Sequence, residues 1–231
     1  VDLAANNFNL TNVTAKLVVA KKDVTLADIT ASNKTYDGTT SANMSANVNG
    51  QLTGDVVNVS GLTGNFASKN VARDVSGNVV AQVVNFTGSG VGLVGDDSAN
   101  YKLSAPVSQS TTAAITPRVL NIGIGSVADK TVDGNTSAAV TPGALSNLVA
   151  GESLSVVATG NFSDATAGTG KVVTATYTLQ NGTNGLASNY ALNATAPNPD
   201  SRLRGNIVAR VNPVNPVSPF VPVNNNKASR V

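Results

Sequence analysis

From Val172 to Leu179 the side chains alternate: Val173, Ala175, Tyr177 and Leu179 fall on one side, Val172, Thr174, Thr176 and Thr178 on the other. A period of two marks a strand with one buried face and one wetter face. Upstream, Val80, Val84 and Phe86 hold the apolar side of a matching run, with Gln82 as the exception. Leu154 and Val156 match Val57 and Val59 in a second strand, and Leu120 and Ile122 match Val24 and Leu26 in an opening one. Gly, Asn and Asp clusters separate these runs, as hairpin-rich β structure requires. No window holds a long stripe of period 3.6, so helices are expected to be short or absent. "GALSNLVAG" (143–151) is the best candidate for a turn or two.

The matches belong to an internal repeat. A shift of 96 residues takes Lys34, Asp37, Gly38, Thr40, Ser41 and Ala42 onto Lys130, Asp133, Gly134, Thr136, Ser137 and Ala138. The same shift takes Gly64-Asn65-Phe66 onto Gly160-Asn161-Phe162, and with small gaps "ANYKL" (99–103) pairs with "SNYAL" (188–192). "VVAKKDVTL" (18–26) is likewise the counterpart of "AITPRVLNI" (114–122). The expected organisation is a tail of a preceding repeat at 1–18, repeat 1 at 19–114, repeat 2 at 115–211 and a Pro/Asn-rich tail or linker at 212–231. A period this long exceeds that of solenoid layers, so each repeat is expected to be a small domain with its own core, in an elongated string. Phe66 with Phe162, and Tyr101 with Tyr190, recur at matched places and are expected to be repeat core. The fold class is all-β: two tandem small domains, with a β-grasp-like sheet and an immunoglobulin-like sandwich both fitting the strand pattern.

Composition narrows the chemistry. Charged residues are 12% of the chain, the net charge is +2, and Lys and Arg form no dense run, so no footprint for nucleic acid is present. The chain has no Cys and no His, which removes thiol nucleophiles, disulfides, the usual zinc ligands and the commonest general base. No apolar run reaches the length of a membrane-spanning helix, and neither a signal peptide nor an initiating Met is present, as in a fragment.

The ordered series Lys-x-Tyr-Asp-Gly-x-Thr (34–40), "GNFASKNV" (64–71), "AAITPR" (113–118), "TAGTGKVV" (166–173) and Asn-Tyr-x-Leu resembles the YDG repeat. That module stands in tandem in filamentous-haemagglutinin-like bacterial exoproteins and other large surface adhesins. The resemblance spans nearly all of 19–211. Repeat 2 departs from it with Val132 at the Tyr position and "SDATAG" where repeat 1 has "SKNVAR", which argues against any ligand role needing Tyr36. The resemblance implies a secreted or cell-surface adhesin region that extends the molecule or supports adhesion. Its implied partners are neighbouring repeats, an outer-membrane secretion transporter of the two-partner type, and a host or bacterial surface glycan or protein. It brings no enzymatic activity and no cofactor.

Four local features invite chemistry. Asp37-Gly38 and Asp133-Gly134 read as tight turns, with Gly at positive φ and Asp bonding local backbone, since one carboxylate per turn falls short of a Ca²⁺ loop. Together with Lys34, Tyr36 and Lys130 they form a structural turn motif. "GDD" (95–97) is a slightly better ion candidate but has no copy in repeat 2. "AGTGK" (167–171) misses a phosphate loop, because Ala165 stands where the first Gly belongs and Val172 where Ser or Thr belongs, and reads as a plain loop. Lys34 and Lys130, with Asp and Asn nearby, raise an isopeptide crosslink, which would need a buried Lys and a catalytic carboxylate. The two competing functions are a spacer and a glycan- or protein-binding module; the scarce aromatics, patterned as core, favour the spacer.

Overall fold

The computed structural model of the chain describes residues 17–104, 109–193 and 200–211. The expected tail of a preceding repeat, apart from residues 17 and 18, and the expected Pro/Asn-rich tail lie outside the described residues. The protein is nearly all β in two tandem domains, with sandwich- and barrel-like sheets, and its described helical residues are two three-residue 3-10 turns, Ser98–Asn100 and Ala187–Asn189. Among the described residues, packing places those up to 118, with 188–191, in unit 1 and those of 119–187 and from 192 on in unit 2.

Unit 1 contains β1 (Lys22–Ala31), β2 (Lys34–Thr35), β3 (Ser41–Asn49), β4 (Asn58–Ser60), β5 (Thr63–Phe66), β6 (Gln82–Phe86), β7 (Gly92–Val94), β8 (Tyr101–Leu103), β9 (Gln109–Ala113) and β10 (Ile115–Thr116). Six of them form one sheet in the order β8-β1-β3-β5-β6-β9, antiparallel except for the parallel β1–β8 pair. Beyond β9 the chain continues into β10, which pairs in parallel with β2 and so brings the end of the repeat back to its Lys-Thr dipeptide. One cluster of its core is Val24, Val57 and Tyr101, with Val48, Leu93 and Leu103 packed against it. Phe66, Val84, Phe86 and Ile115 are buried as well. Val80 lies ahead of β6 at the surface, and Gln82 is retained because it serves a loop: its Oε1 accepts the Ser68 N–H and its Nε2 donates to the Asn70 carbonyl.

The second repeat carries β11 (Arg118–Ile122), β12 (Ser126–Val127), β13 (Lys130–Thr131), β14 (Ser137–Ala138), β15 (Val140–Thr141), β16 (Leu145–Ser146), the long β17 (Leu154–Phe162) and β18 (Gly168–Asn181), β19 (Tyr190–Leu192), whose first two residues pack in unit 1, and β20 (Asp200–Val208); the rest, from Val119 on, lies in unit 2. Its five-stranded sheet runs β13-β20-β18-β17-β14. The alternation in β18 holds: Val173, Ala175 and Tyr177 are buried with Ile122, Phe162, Leu203 and Ile207, and the threonines between them face out. β17 is unbroken where unit 1 splits into β4 and β5. Between Asp55 and Gly64 unit 1 carries one residue more than unit 2 does between Glu152 and Gly160, and Gly61, at φ 70°, absorbs it in a conformation open to glycine.

Three expectations need correction. Residues 143–151 form no helix: Leu145–Ser146 is a strand against β11, and Asn147 sits at φ 73°, which a right-handed helix does not admit. "AGTGK" runs into β18 rather than forming a free loop, with a register irregularity against β20 between Gly168 and Lys171. The separation into self-contained repeats also fails at one point, because Ser188–Ala191 belongs to unit 1 although the sequence repeat assigns it to 115–211.

Candidate functional site

The repeated turn begins where a short strand fixes its lysine. β2 is held by its pairing to β10, and the Tyr36 N–H donates to the Thr116 carbonyl at 2.9 Å; β13 is held to β20, and the Val132 N–H donates to the Val208 carbonyl at the same distance. Lys34 Nζ then donates to Asp37 Oδ1 at 2.8 Å, to the Thr39 carbonyl at 2.9 Å and to Thr39 Oγ1 at 3.0 Å, so each ammonium proton has an acceptor. The ammonium also lies 5.5 Å from the centre of the Phe66 ring, within cation–π range. Asp37 Oδ1 accepts the Thr39 N–H at 2.9 Å, and Gly38 turns the chain at φ 80°.

The second copy reaches the same result with different partners. Lys130 Nζ lies 2.8 Å from Asp133 Oδ1 and donates to the Asn135 carbonyl, Asn135 Oδ1 and the Ser137 carbonyl, while Gly134 turns at φ 85°. Burial alone would raise the Asp37 carboxyl, but the hydrogen bonds from Lys34 and Thr39 outweigh it and hold the group below its ordinary value. The Lys130 hydrogen bond lowers Asp133 in the same direction. The aspartates are 45% and 42% exposed, so neither lysine sits with its carboxylate in the buried setting an isopeptide bond requires. The motif is a staple: its cation and carboxylate are spent on the turn.

The Gly-Asn-Phe blocks close against these turns. Phe66 and Phe162 each donate a backbone N–H at 2.7 Å to the carbonyl of Thr40 and Thr136, and those threonine hydroxyls donate to Asn65 and Asn161. Gly64 and Gly160 sit at a close approach, where a Cβ would meet Met44 Sδ at 2.5 Å or Val140 Cγ2 at 2.4 Å and the neighbour would have to shift.

The other candidates resolve into local structure. Asp97 Oδ2 accepts the Val56 N–H at 2.8 Å, tying "GDD" to the neighbouring loop. Asp164 takes the hydrogen bonds of Lys171 and Thr166, Lys171 foremost, and is held far below the usual carboxylate range. Among the described residues no group of three or more His, Cys, Asp or Glu is placed to hold a metal ion. Phe66, Tyr101, Phe162 and Tyr190 are buried, and so is every other described aromatic: Tyr36, Phe86 and Tyr177.

Sequence reasoning missed the partner of Tyr190. The Tyr190 and Tyr36 rings meet edge to face, 5.4 Å between centres and 77° between planes, within unit 1. Beside them Asn189, 0% exposed, accepts the Val71 N–H at 2.9 Å and donates Nδ2 to Asn70 Oδ1 at 2.8 Å. Arg73 adds a bond from Nη2 to the Ser188 carbonyl at 3.0 Å. Tyr36 and "KNVAR" are the very places where repeat 2 departs from repeat 1, and that shared departure was the available signal. In unit 2 Val132 stands at the Tyr36 position and packs against that unit's own core.

A family model described as the YDG domain matches residues 20–112 and again residues 116–198. No curated protein and no solved structure matched the chain.

Proposed function

Because the chain belongs to the YDG domain family, in two tandem copies, we propose that it is a non-enzymatic repeat region of a large secreted or surface-exposed bacterial adhesin of the filamentous-haemagglutinin-like kind. In this reading the repeats are a stalk or spacer that supports adhesion and reach the cell surface through an outer-membrane transporter of the two-partner type. The observation that carries the reading is how the motif residues are used. Lys34, Asp37, Lys130 and Asp133 are bonded within their own turns, and the described aromatics, which a glycan-binding face would present for stacking, are buried.

Replacement of the repeats in the native protein by unrelated β domains of equal number tests the reading. A spacer keeps adhesion after replacement and loses it after deletion; a glycan- or protein-binding module loses adhesion in both, which would overturn the proposal.

A further inference from the structure

The two copies of the Asn-Tyr corner are in different states. Asn189 is 0% exposed and bonded to Asn70 and Val71, whereas its counterpart Asn100 is exposed. The strand leading into each repeat shows the same contrast. Ile115, 0% exposed, pairs with Lys34 in the β10–β2 ladder, while its sequence counterpart Val19 is 84% exposed, between Val18 at 73% and Ala20. Asn100 and Val19 lie on one recess of about 420 Å³ in unit 1, shared with Lys22, Leu52, Asp55 and Tyr101. Its floor is hydrogen-bonded: the Tyr101 hydroxyl donates to Asp55 Oδ2 at 2.5 Å and accepts the Leu52 N–H at 3.0 Å. An exposed run from Leu17 to Val19 beside a preformed recess is apolar surface that a lone module does not need.

We propose that this recess and the Leu17–Ala20 segment form a docking surface for a further YDG repeat placed ahead of repeat 1, of the repeat 1 type. Such a repeat carries Tyr at the position of Tyr36 and Asn-Val at those of Asn70 and Val71. Its Lys-Thr strand takes Val19 and Ala20 in parallel, as β2 takes Ile115 and Thr116. Its Asn side chain and Val N–H take the Asn100 amide, as Asn70 and Val71 take Asn189. A repeat 2 face is not equipped for this, because Val132 replaces the tyrosine and "DATAG" (164–168) stands where repeat 1 has "KNVAR" (69–73). The joint is therefore directional: each repeat offers an Asn-Tyr corner to the repeat before it, and only a Tyr/Lys-Asn-Val face receives it. The inference rests on the tandem-module part of the proposed function and not on adhesion, so its test and the replacement test fail separately.

The test uses the natural absence of cysteine. Val19→Cys is introduced into the 231-residue chain, and into a chain in which residues 18–113 are duplicated in tandem, there only in the second copy. Maleimide labelling is expected to be fast in the first and at least about tenfold slower in the second, as for a group reached only by local opening. Tyr36→Ala with Asn70→Ala in the first copy is expected to restore fast labelling. Equal rates in the two chains overturn the proposal, and so does protection that survives the double substitution, which would be shielding by bulk. Slow amide exchange at Val84 and Phe86 of the first copy checks that it has folded; an unfolded first copy also counts against the proposal, which requires a complete recipient.

Discussion

Replacing Lys34 by Met removes the cation from the turn while keeping most of the aliphatic stem. Three acceptors lose the lysine donor, Asp37 Oδ1, the Thr39 carbonyl and Thr39 Oγ1, while Asp37 Oδ1 keeps the Thr39 N–H. Because Asp37 is 45% exposed, its ion pair is worth only the surface value of about 0.5 kcal/mol. Thr39 is exposed and rehydrates, so its two bonds contribute about 1 kcal/mol together. The cation–π contact with Phe66 adds about 0.5 kcal/mol. The expected loss is about 2 kcal/mol, confined to unit 1, and for a domain of this size it lowers the melting midpoint by roughly 8–16 °C. The chain has no Trp, so unit-resolved amide exchange is the assay, with Val84 and Phe86 reporting unit 1 and Val173 and Ala175 reporting unit 2. Lys130→Met is the internal replicate and should reverse the pattern, destabilising unit 2 alone. A loss below about 0.5 kcal/mol in unit 1 would refute the staple, and so would an equal loss in both units from either substitution.

Two further outcomes follow from the same geometry. Gly38→Val places a β-branched residue at φ 80° and should cost unit 1 about 1–2 kcal/mol, with Gly38→Asn much milder; equal thermal midpoints for the two variants would contradict the turn conformation. Asp200, 0% exposed, accepts three hydrogen bonds from Arg202 and one from Tyr177, and the Arg202 bonds hold its carboxyl below the ordinary 3.8. A depressed folded-state value means that this contribution is complete above about pH 4 and is lost as the pH falls through the lower, folded value. Urea midpoints of unit 2 should therefore be flat from pH 7 to about pH 5 and fall below about pH 4, with a shallower fall in Asp200→Asn; an unchanged acid slope in that variant would remove Asp200 from the account.

How much of this was legible in the sequence depended on whether the partner of a residue lay in the same local pattern. The buried face of β18 could be read because alternation is a property of one strand and its own side chains. Gly64 and Phe66 could be singled out because both copies carry them for the same close approach and the same bond to a threonine carbonyl. The recurrence of Tyr190 marked it for burial, yet recurrence carries no information on what buries it, and its ring packs on Tyr36, whose counterpart in the second repeat is a valine. For the same reason the repeat boundary could be placed near residue 115 without revealing that residues 188–191 serve the earlier unit. The short strand at Leu145–Ser146 was hidden because two residues carry no period, and only pairing to β11 defines it.

A segment of the second repeat's sequence completes the first unit, and amide exchange at Val71 reads that contact out. The Val71 N–H donates to Asn189 Oδ1 at 2.9 Å. Asn189→Ala leaves that donor without its acceptor, a loss of about 1–3 kcal/mol. Exchange at Val71 should then accelerate by at least about tenfold, while Val173 in the core of unit 2 keeps its protection. Unchanged exchange at Val71, or a loss confined to unit 2, would mean that Asn189 does not complete unit 1.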